Sequence, residues 1–406
     1  MDANGDGLSN GNHVNGTELS NGTRSQSKEP LKVLIVGAGI GGLTTAIALR
    51  QQGHHVQVFE QSQFASELGA AVHLQPNSNG ILRRLGIYAE NFGSNLMNKL
   101  TEYDADGTLK RSIDLREANK MWQHPWHLAH RVHLHDALKK AATSQEGTGQ
   151  PVDLRTSSKV ADVDESVATI TLANGETVSG DVVIGADGVH SVTRSRIAQE
   201  AKSYSSGKSA FRFLITRKAA LDDPATSKFV QEPGELSIWY SDDRRIVMYP
   251  TSNNELLNFV CIHPESESDA SSDWNNEGSL GVLLRIYKGF DDSVVALLAK
   301  ADAKTLKVWK LLDMDEIPDW HKGHLALIGD AAHPFLPHQG QGAGAAIEDA
   351  ATIAVVLPLG TPREEVPKRL ALYDSIRHER ATKIQLHSRL IGGDGADREK
   401  LDSKLV

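Results

Sequence analysis

Short apolar runs and helical periodicities take turns along the chain. Leu31–Val36 (LKVLIV) is an apolar run bounded by glycine, the pattern of a strand buried on both faces. Gly41–Gln52 turns helical, with Leu43, Ile47 and Leu49 towards a core and Gly53 as its stop. Val56–Glu60 (VQVFE) predicts a second strand. Strand, glycine turn, helix and strand within about thirty residues make a βαβ unit, whose parallel strands imply an α/β sheet. Helices follow at Pro76–Leu85 and His133–Ala142. A hairpin or meander is expected over Lys159–Val178, around the Asn174-Gly175 turn, and a buried strand at Asp181–Ile184.

From about Ser209 to Cys261 the texture changes to alternating, aromatic-rich segments at Phe211–Ile215, Leu236–Tyr240, Ile246–Tyr249 and Leu256–Cys261. These predict an antiparallel sheet in a separate lobe. A helical stretch around Leu283–Lys300 follows, and Leu325–Ile328 (LALI) returns to buried parallel texture. Helices are predicted at Gly342–Val356 and roughly Arg363–Leu390. The first lobe is therefore interrupted by the second and completed after it. The expected divisions are a tail over 1–29, a first lobe over 31–205 that lends segments around 74–125 to the other lobe, an inserted lobe over 206–318, a completion over 319–390, and a tail over 391–406.

Composition narrows the function classes. The 406 residues carry 43 basic and 52 acidic side chains, a formal net charge of −9. That balance argues against capture of a nucleic-acid backbone, which needs a basic face. The single thiol, Cys261, excludes an internal disulfide, a CxxC redox pair and a cysteine-rich zinc site. Val33–Leu49 is an uncharged run of 17 residues, but it holds four glycines and changes period halfway, so no transmembrane segment is expected. The first 29 residues hold five glycines and five asparagines, with little to bury and no secretory h-region, so they are read as a disordered tail. Ser403-Lys404-Leu405 resembles a peroxisomal address, but Val406 follows it, so a cytoplasmic location is the expectation.

Three segments carry chemistry. Gly37, Gly39 and Gly42 fit GxGxxG between a buried strand and a helix, where helix N–H groups and dipole would face a pyrophosphate. Glu60, at the end of the second strand, is placed to accept hydrogen bonds from a ribose. A strand then runs into Gly185-Ala186-Asp187-Gly188, with Arg194 and Arg196 following. A third strand ends in Gly329-Asp330, and after a Pro-rich loop Gly340-Gln341-Gly342-Ala343-Gly344 opens a helix. Seventeen histidines include His130, His133 and His135 close together, yet no metal-ligand motif is present and no metal is expected. His333 and His338 are read as fixing loop geometry.

With these motifs in this order, the sequence resembles the flavoprotein aromatic hydroxylases of the p-hydroxybenzoate hydroxylase type (group A monooxygenases), in particular their salicylate hydroxylase-like fungal branch. The resemblance runs from about Leu31 to Leu390. It implies an α/β fold in which a discontinuous Rossmann-like FAD-binding domain carries an inserted antiparallel-sheet substrate domain and C-terminal helices. It implies FAD as bound cofactor and NADPH or NADH as co-substrate. Asp330 would bind the ribityl chain, Arg131 would contact FAD, and the Asp187 turn would serve FAD and the pyridine nucleotide. Ala71 and Ala343 match backbone positions lining the cofactor. Arg212 matches an arginine that pairs with substrate phenolate and Tyr240 a tyrosine partner, both assigned as catalytic. His73 and Gln75 would face the same pocket.

The activity implied is hydroxylation of a phenolic, salicylate-like or polyketide small molecule by a flavin C4a-hydroperoxide formed from O₂. A flavin epoxidase or dearomatising hydroxylase of a secondary-metabolite pathway is the alternative, and a non-catalytic flavin-binding protein the distant one. A monomer and a homodimer are both compatible with the sequence.

Overall fold

The computed structural model describes residues 29–63, 71–272 and 276–393. The expected N-terminal tail and all but the first three residues of the C-terminal one lie outside the described residues. Among the described residues no helix is long and apolar enough to cross a membrane.

The first lobe is built on a six-stranded sheet in the order His321–Lys322, Leu325–Leu327, Val182–Gly185, Lys32–Val36, His55–Phe59, Asp153–Arg155. All neighbours are parallel except the His321–Lys322 edge. Period two divides the first strand between two cores. Val33 and Ile35 pack with Leu43 and Ile47 of the Ile40–Gln51 helix, whereas Leu34 and Val36 pack against Val163, Ile170 and Leu172. The latter belong to the meander Val160–Asp164, Thr169–Leu172, Thr177–Ser179, which closes the sheet's other face and reverses at the expected Asn174-Gly175 turn.

The second lobe is a seven-stranded sheet in the order Lys307–Asp313, Tyr204–Thr216, Leu256–Pro264, Arg245–Thr251, Glu235–Tyr240, Lys99–Asp104, Leu109–Asp114. Its pairs are antiparallel except one. Glu235–Tyr240 runs parallel to Lys99–Asp104, a strand that arrives from the first third of the chain with its hairpin partner. That hairpin falls within the 74–125 region expected to lend segments to this lobe, but its strands escape local reading because charged side chains dilute their alternation and the outer strand is mostly exposed. One face of the sheet buries Phe211, Phe213, Trp239, Met248 and Phe259 beneath two short helices, Leu280–Ile286 and Asp292–Leu298. These replace the single helical stretch expected there, and the Asp291 carboxylate starts the second by accepting from the Ser293 N–H at 2.9 Å. The opposite face looks towards the first lobe.

A third sheet joins the lobes: Ala71–Leu74, His127–His130 and Asn95–Leu96. After it the chain enters the Arg131–Thr143 helix. Two C-terminal helices, Gly342–Val356 and Val366–Gly392, pack behind the six-stranded sheet, with Tyr373 donating its hydroxyl proton to the Leu327 carbonyl at 2.8 Å.

Candidate cofactor and substrate site

The three fingerprint glycines have separate physical reasons. Gly37 takes φ +100°, and a β-carbon there would lie 2.4 Å from the Ala186 carbonyl oxygen of the adjacent strand's exit. At Gly42 a β-carbon would stand 2.0 Å from the Gly37 carbonyl oxygen, so helix and turn meet backbone to backbone. Around Gly39, by contrast, a β-carbon would find nothing within 4 Å. The Ile40–Gln51 helix that follows has no side-chain cap and no acid in its first turn. Its first N–H groups therefore point into open space with the positive end of the dipole. Glu60 braces this turn, accepting from the Ala38 N–H at 2.9 Å and the Ser62 N–H at 2.7 Å.

The Asp187 carboxylate is spent on its own loop. It accepts four hydrogen bonds, from the Val192 and Thr193 N–H groups at 2.7 and 3.0 Å and from the Ser191 and Thr193 hydroxyls at 2.6 Å each. Four bonds use up the lone-pair positions of a carboxylate, so Asp187 shapes the turn and the turn's backbone is what it offers a ligand. Arg194, buried, ties this turn to the other one. It donates to the Val189 carbonyl at 2.6 Å and, across 137 residues, to the Ala331 carbonyl at 3.2 Å.

Asp330 is exposed although protein surrounds it, so its side chain lines an opening into the interior. Burial pushes its carboxyl above the ordinary range, and His333, Arg131 and Arg194 pull it back. The loop carrying it is held from behind by the buried Asp349. That carboxylate accepts from the Gly329 N–H at 2.9 Å, His333 Nε2 at 2.6 Å and Arg377 Nε at 2.8 Å. Burial alone would raise Asp349; His333, Arg377 and the Gly329 N–H together hold it below the usual carboxylate range.

Gly340, at φ +64°, sits directly on His73, and a β-carbon there would come within 2.9 Å of His73 Cγ. The Gly342–Val356 helix then begins without a side-chain cap, with half-buried Ala343 in its first turn. Two uncapped helix starts with N–H donors for phosphates, the space at Gly39 and the Asp330 carboxylate as an acceptor for hydroxyls together suit a dinucleotide with a polyol chain. The residues present fit such a group.

The free face of the seven-stranded sheet lies over this region. Arg212, Val260, Val247 and Ile238 are cross-strand neighbours and share that face. Arg212 is buried with its guanidinium 5.2 Å above the Trp309 ring; burial and nearby Arg131 lower it to about 10. Arg131 acts on both Arg212 and Asp330, so the cofactor opening and the sheet face are neighbours. Tyr240 shares the face, but three strand spacings, about 14 Å, separate its strand from that of Arg212. Its hydroxyl donates to Glu102 at 3.4 Å and its ring lies under Arg245. Arg212 and Tyr240 are thus not brought together.

Ala71 joins the lobes. Its N–H donates to Asn258 Oδ1 at 3.0 Å and its carbonyl accepts from the Tyr249 hydroxyl at 2.9 Å, which commits the amide to the sheet. Tyr249 also receives the edge of His73, with centroids 4.9 Å apart, and burial lowers His73 to about 4. Gln75 donates to the Gln339 carbonyl at 3.1 Å, tying the joining sheet to the glycine-rich loop. Sequence reasoning missed Tyr249, Asn258 and Trp309 as parts of this face. Their shared parity with Arg212 was readable, but only once the strand register is known.

Glycine turn, paired acidic turns and an overlying sheet define a dinucleotide-binding α/β protein with a lid-like second lobe. Over residues 30–388 the chain matches the family model described as FAD binding domain. It belongs to that family, in its branch of FAD-dependent aromatic hydroxylases. It is 33% identical over 374 residues to hispidin-3-hydroxylase from Neonothopanus nambi, covering 88% of this chain and 87% of that one. Among solved structures it is similar to a salicylate hydroxylase substrate complex, at 26% identity and TM-score 0.74, covering 90% and 89%. The fold also matches CtdE in complex with FAD and a substrate, at 24% identity and TM-score 0.78, covering 88% of each chain.

Proposed function

We propose that this chain uses NADH or NADPH and O₂ to hydroxylate a small phenolic aromatic compound. The overall balance is substrate, O₂, NAD(P)H and a proton giving hydroxylated substrate, NAD(P)⁺ and water. The observation that carries the reading is the contact of Gly340 with His73 and of His73 with Tyr249, which seats the glycine-rich loop of the cofactor opening on the sheet face that carries Arg212. Bound FAD would take hydride equivalents from the nicotinamide and supply an electrophilic oxygen from O₂.

The chain's own work is binding and electrostatics. Gly39, the two uncapped helix starts and Asp330 would hold the dinucleotide and its ribityl chain, with Glu60 and Asp187 shaping the turns. Arg131 and Ala343 stand beside that opening. A substrate hydroxyl near Arg212 and Arg131 meets a positive potential that favours its ionised, more electron-rich form. Two buried donors in the same region, Asn258 Nδ2 and Trp126 Nε1, have no partner among the described residues and suit oxygen acceptors on the ring. His73 is neutral at physiological pH and supports the loop at Gly340. Tyr240, further along the face, would contact only a substrate extended beyond one ring. The relatives' names, hispidin-3-hydroxylase and salicylate hydroxylase, point to the same substrate class.

The test is a panel of phenols given to FAD-loaded protein while NADH or NADPH oxidation and O₂ uptake are followed. One compound should accelerate both and leave as a product one oxygen atom heavier. A flavin-loaded protein that no phenol stimulates would overturn the reading in favour of a flavin binder without turnover.

A further inference from the structure

The Val366–Gly392 helix has two opposed faces of unexpected character. The face turned inwards carries polar groups, Asp374, Arg377 and Gln385 among them, that hold the loops of the cofactor site. The face turned outwards leaves Leu372, Ile376, Leu386 and Leu390 between 37% and 49% exposed. Between them stand Glu379 and Lys383, both exposed and paired with each other. The six positions advance by four, three, four, three and four residues, the spacing of a coiled-coil seam. Four large apolar side chains in one row on a water-facing helix are an apolar surface that a partner can cover.

The row is symmetric about Ala381. Leu372 and Leu390 lie equally far from it on either side, as do Ile376 and Leu386, and Glu379 and Lys383. A copy of the same helix, turned antiparallel about a two-fold axis that crosses the outer face at the level of the buried Ala381, sets Leu372 against Leu390, Ile376 against Leu386 and Glu379 against Lys383. Every apolar side chain meets an apolar one and every charge meets its opposite. Such self-complementarity is what an isologous interface requires. A groove of about 620 Å³ flanks this row, sharing Ile376, Glu379 and Lys383 with it and bounded on its far side by Arg380, Ile384 and by Gln339 and Gln341 of the glycine-rich loop, with Ser375 and His387 at its helical ends. Ser375 and His387 are again equidistant from Ala381.

We propose that two copies of this chain dimerise through the outer face of this helix, antiparallel and centred midway between Glu379 and Lys383. The partner's helix packs on the row and closes one side of the groove, beside the loop that opens the Gly342–Val356 helix. The seam is about 27 Å long, and the groove widens the contact beyond it towards the size of a stable interface. This proposal stands independently of the reaction proposed above.

Sedimentation equilibrium of FAD-loaded protein between about 1 and about 100 µM tests it. Wild type should show a monomer–dimer equilibrium. Glu379→Lys alone sets lysine against lysine twice across the axis and should raise the dimer Kd at least about tenfold, as should Lys383→Glu alone. The double variant E379K/K383E restores both pairs and should restore the Kd. Both positions are exposed, so flavin content and melting temperature should stay at wild-type values. Under mild oxidation with diamide, L372C/L390C should close into a covalent dimer while L372C alone should not. A wild type that stays monomeric throughout, its groove then open to a nicotinamide nucleotide or a different protein, would overturn the proposal. So would a dimer indifferent to the charge reversals, or one cross-linked by L372C alone.

Discussion

Gly340 rests on the ring of His73, so that the loop before the Gly342–Val356 helix is seated on the strand that joins the two lobes. Two constraints meet at this glycine: a left-handed φ of +64° and a ring within 2.9 Å of any β-carbon. Gly340→Ala should therefore cost about 1–2 kcal/mol from backbone strain alone, with displacement of the loop in addition. The expected outcome is a lower melting temperature and weaker FAD binding. H73A in the same chain should recover only part of both, because it removes the contact and leaves the strain. Complete recovery would show that the backbone angle costs nothing.

Asp330 faces an opening while its carboxyl is raised by burial and held by the positive groups around it. A polyol donating hydrogen bonds to that carboxylate would gain charge-assisted contacts worth about 1.5–3 kcal/mol. Asp330→Ala should weaken FAD binding by at least about tenfold, read by fluorescence titration of flavin-stripped protein. An unchanged flavin-to-protein ratio would remove Asp330 from the cofactor site.

The βαβ unit and the Gly342–Val356 helix were legible in the sequence because their signals are local: a buried run, a glycine turn, a return of helical period. The antiparallel lobe announced itself by alternation, but its edge did not. Lys99–Asp104 mixes charges with its apolar positions and pairs with a strand more than a hundred residues on. The site followed the same division. Asp330 and the fingerprint glycines stand in local motifs. The Arg194 clamp to Ala331 and the Asn258 bond to Ala71 come from long-range register and leave no local trace. Asp187 shows the converse, a residue conspicuous in sequence whose side chain serves its own loop.

Arg212 is buried over Trp309 on the face that the proposal gives to substrate. Arg212→Met keeps the length and apolar contact while removing the charge. FAD content should remain at the wild-type level, whereas the Kd of the stimulating phenol should rise about tenfold or more. R212K should recover part of that affinity as a point charge without the planar stack. A phenol Kd untouched by R212M would move substrate recognition elsewhere on the sheet.

His263 lies on the far face of the substrate sheet, stacked on Phe211 and hydrogen-bonded to Ser268 at 2.8 Å, and burial lowers it to about 4. The unfolded chain then binds a proton near pH 6.5 that the folded chain refuses until about pH 4. Stability should be complete above pH 6.5 and fall as pH drops through that window, by about 2 kcal/mol at pH 5 from this residue. Melting temperatures between pH 7.5 and 5 should decline, and the decline should be shallower in His263→Gln. Identical slopes in the two proteins would mean that His263 titrates normally.

Gly39 and Gly42 separate cofactor space from fold space within one motif. A methyl group at Gly42 would stand 2.0 Å from the Gly37 carbonyl oxygen, which is backbone and has nowhere to go. Gly42→Ala should therefore destabilise the protein by several kcal/mol, as overpacking against a fixed element does, to roughly 3 kcal/mol or beyond. Gly39 has φ −69° and ψ −176°, angles open to any residue, and its absent β-carbon faces empty space. Gly39→Val should fold with a melting temperature near that of flavin-free wild type and fail to take up FAD, since its side chain fills the place nearest the helix N–H groups. If G39V were to bind FAD normally, the pyrophosphate would have to lie somewhere other than the first turn of that helix.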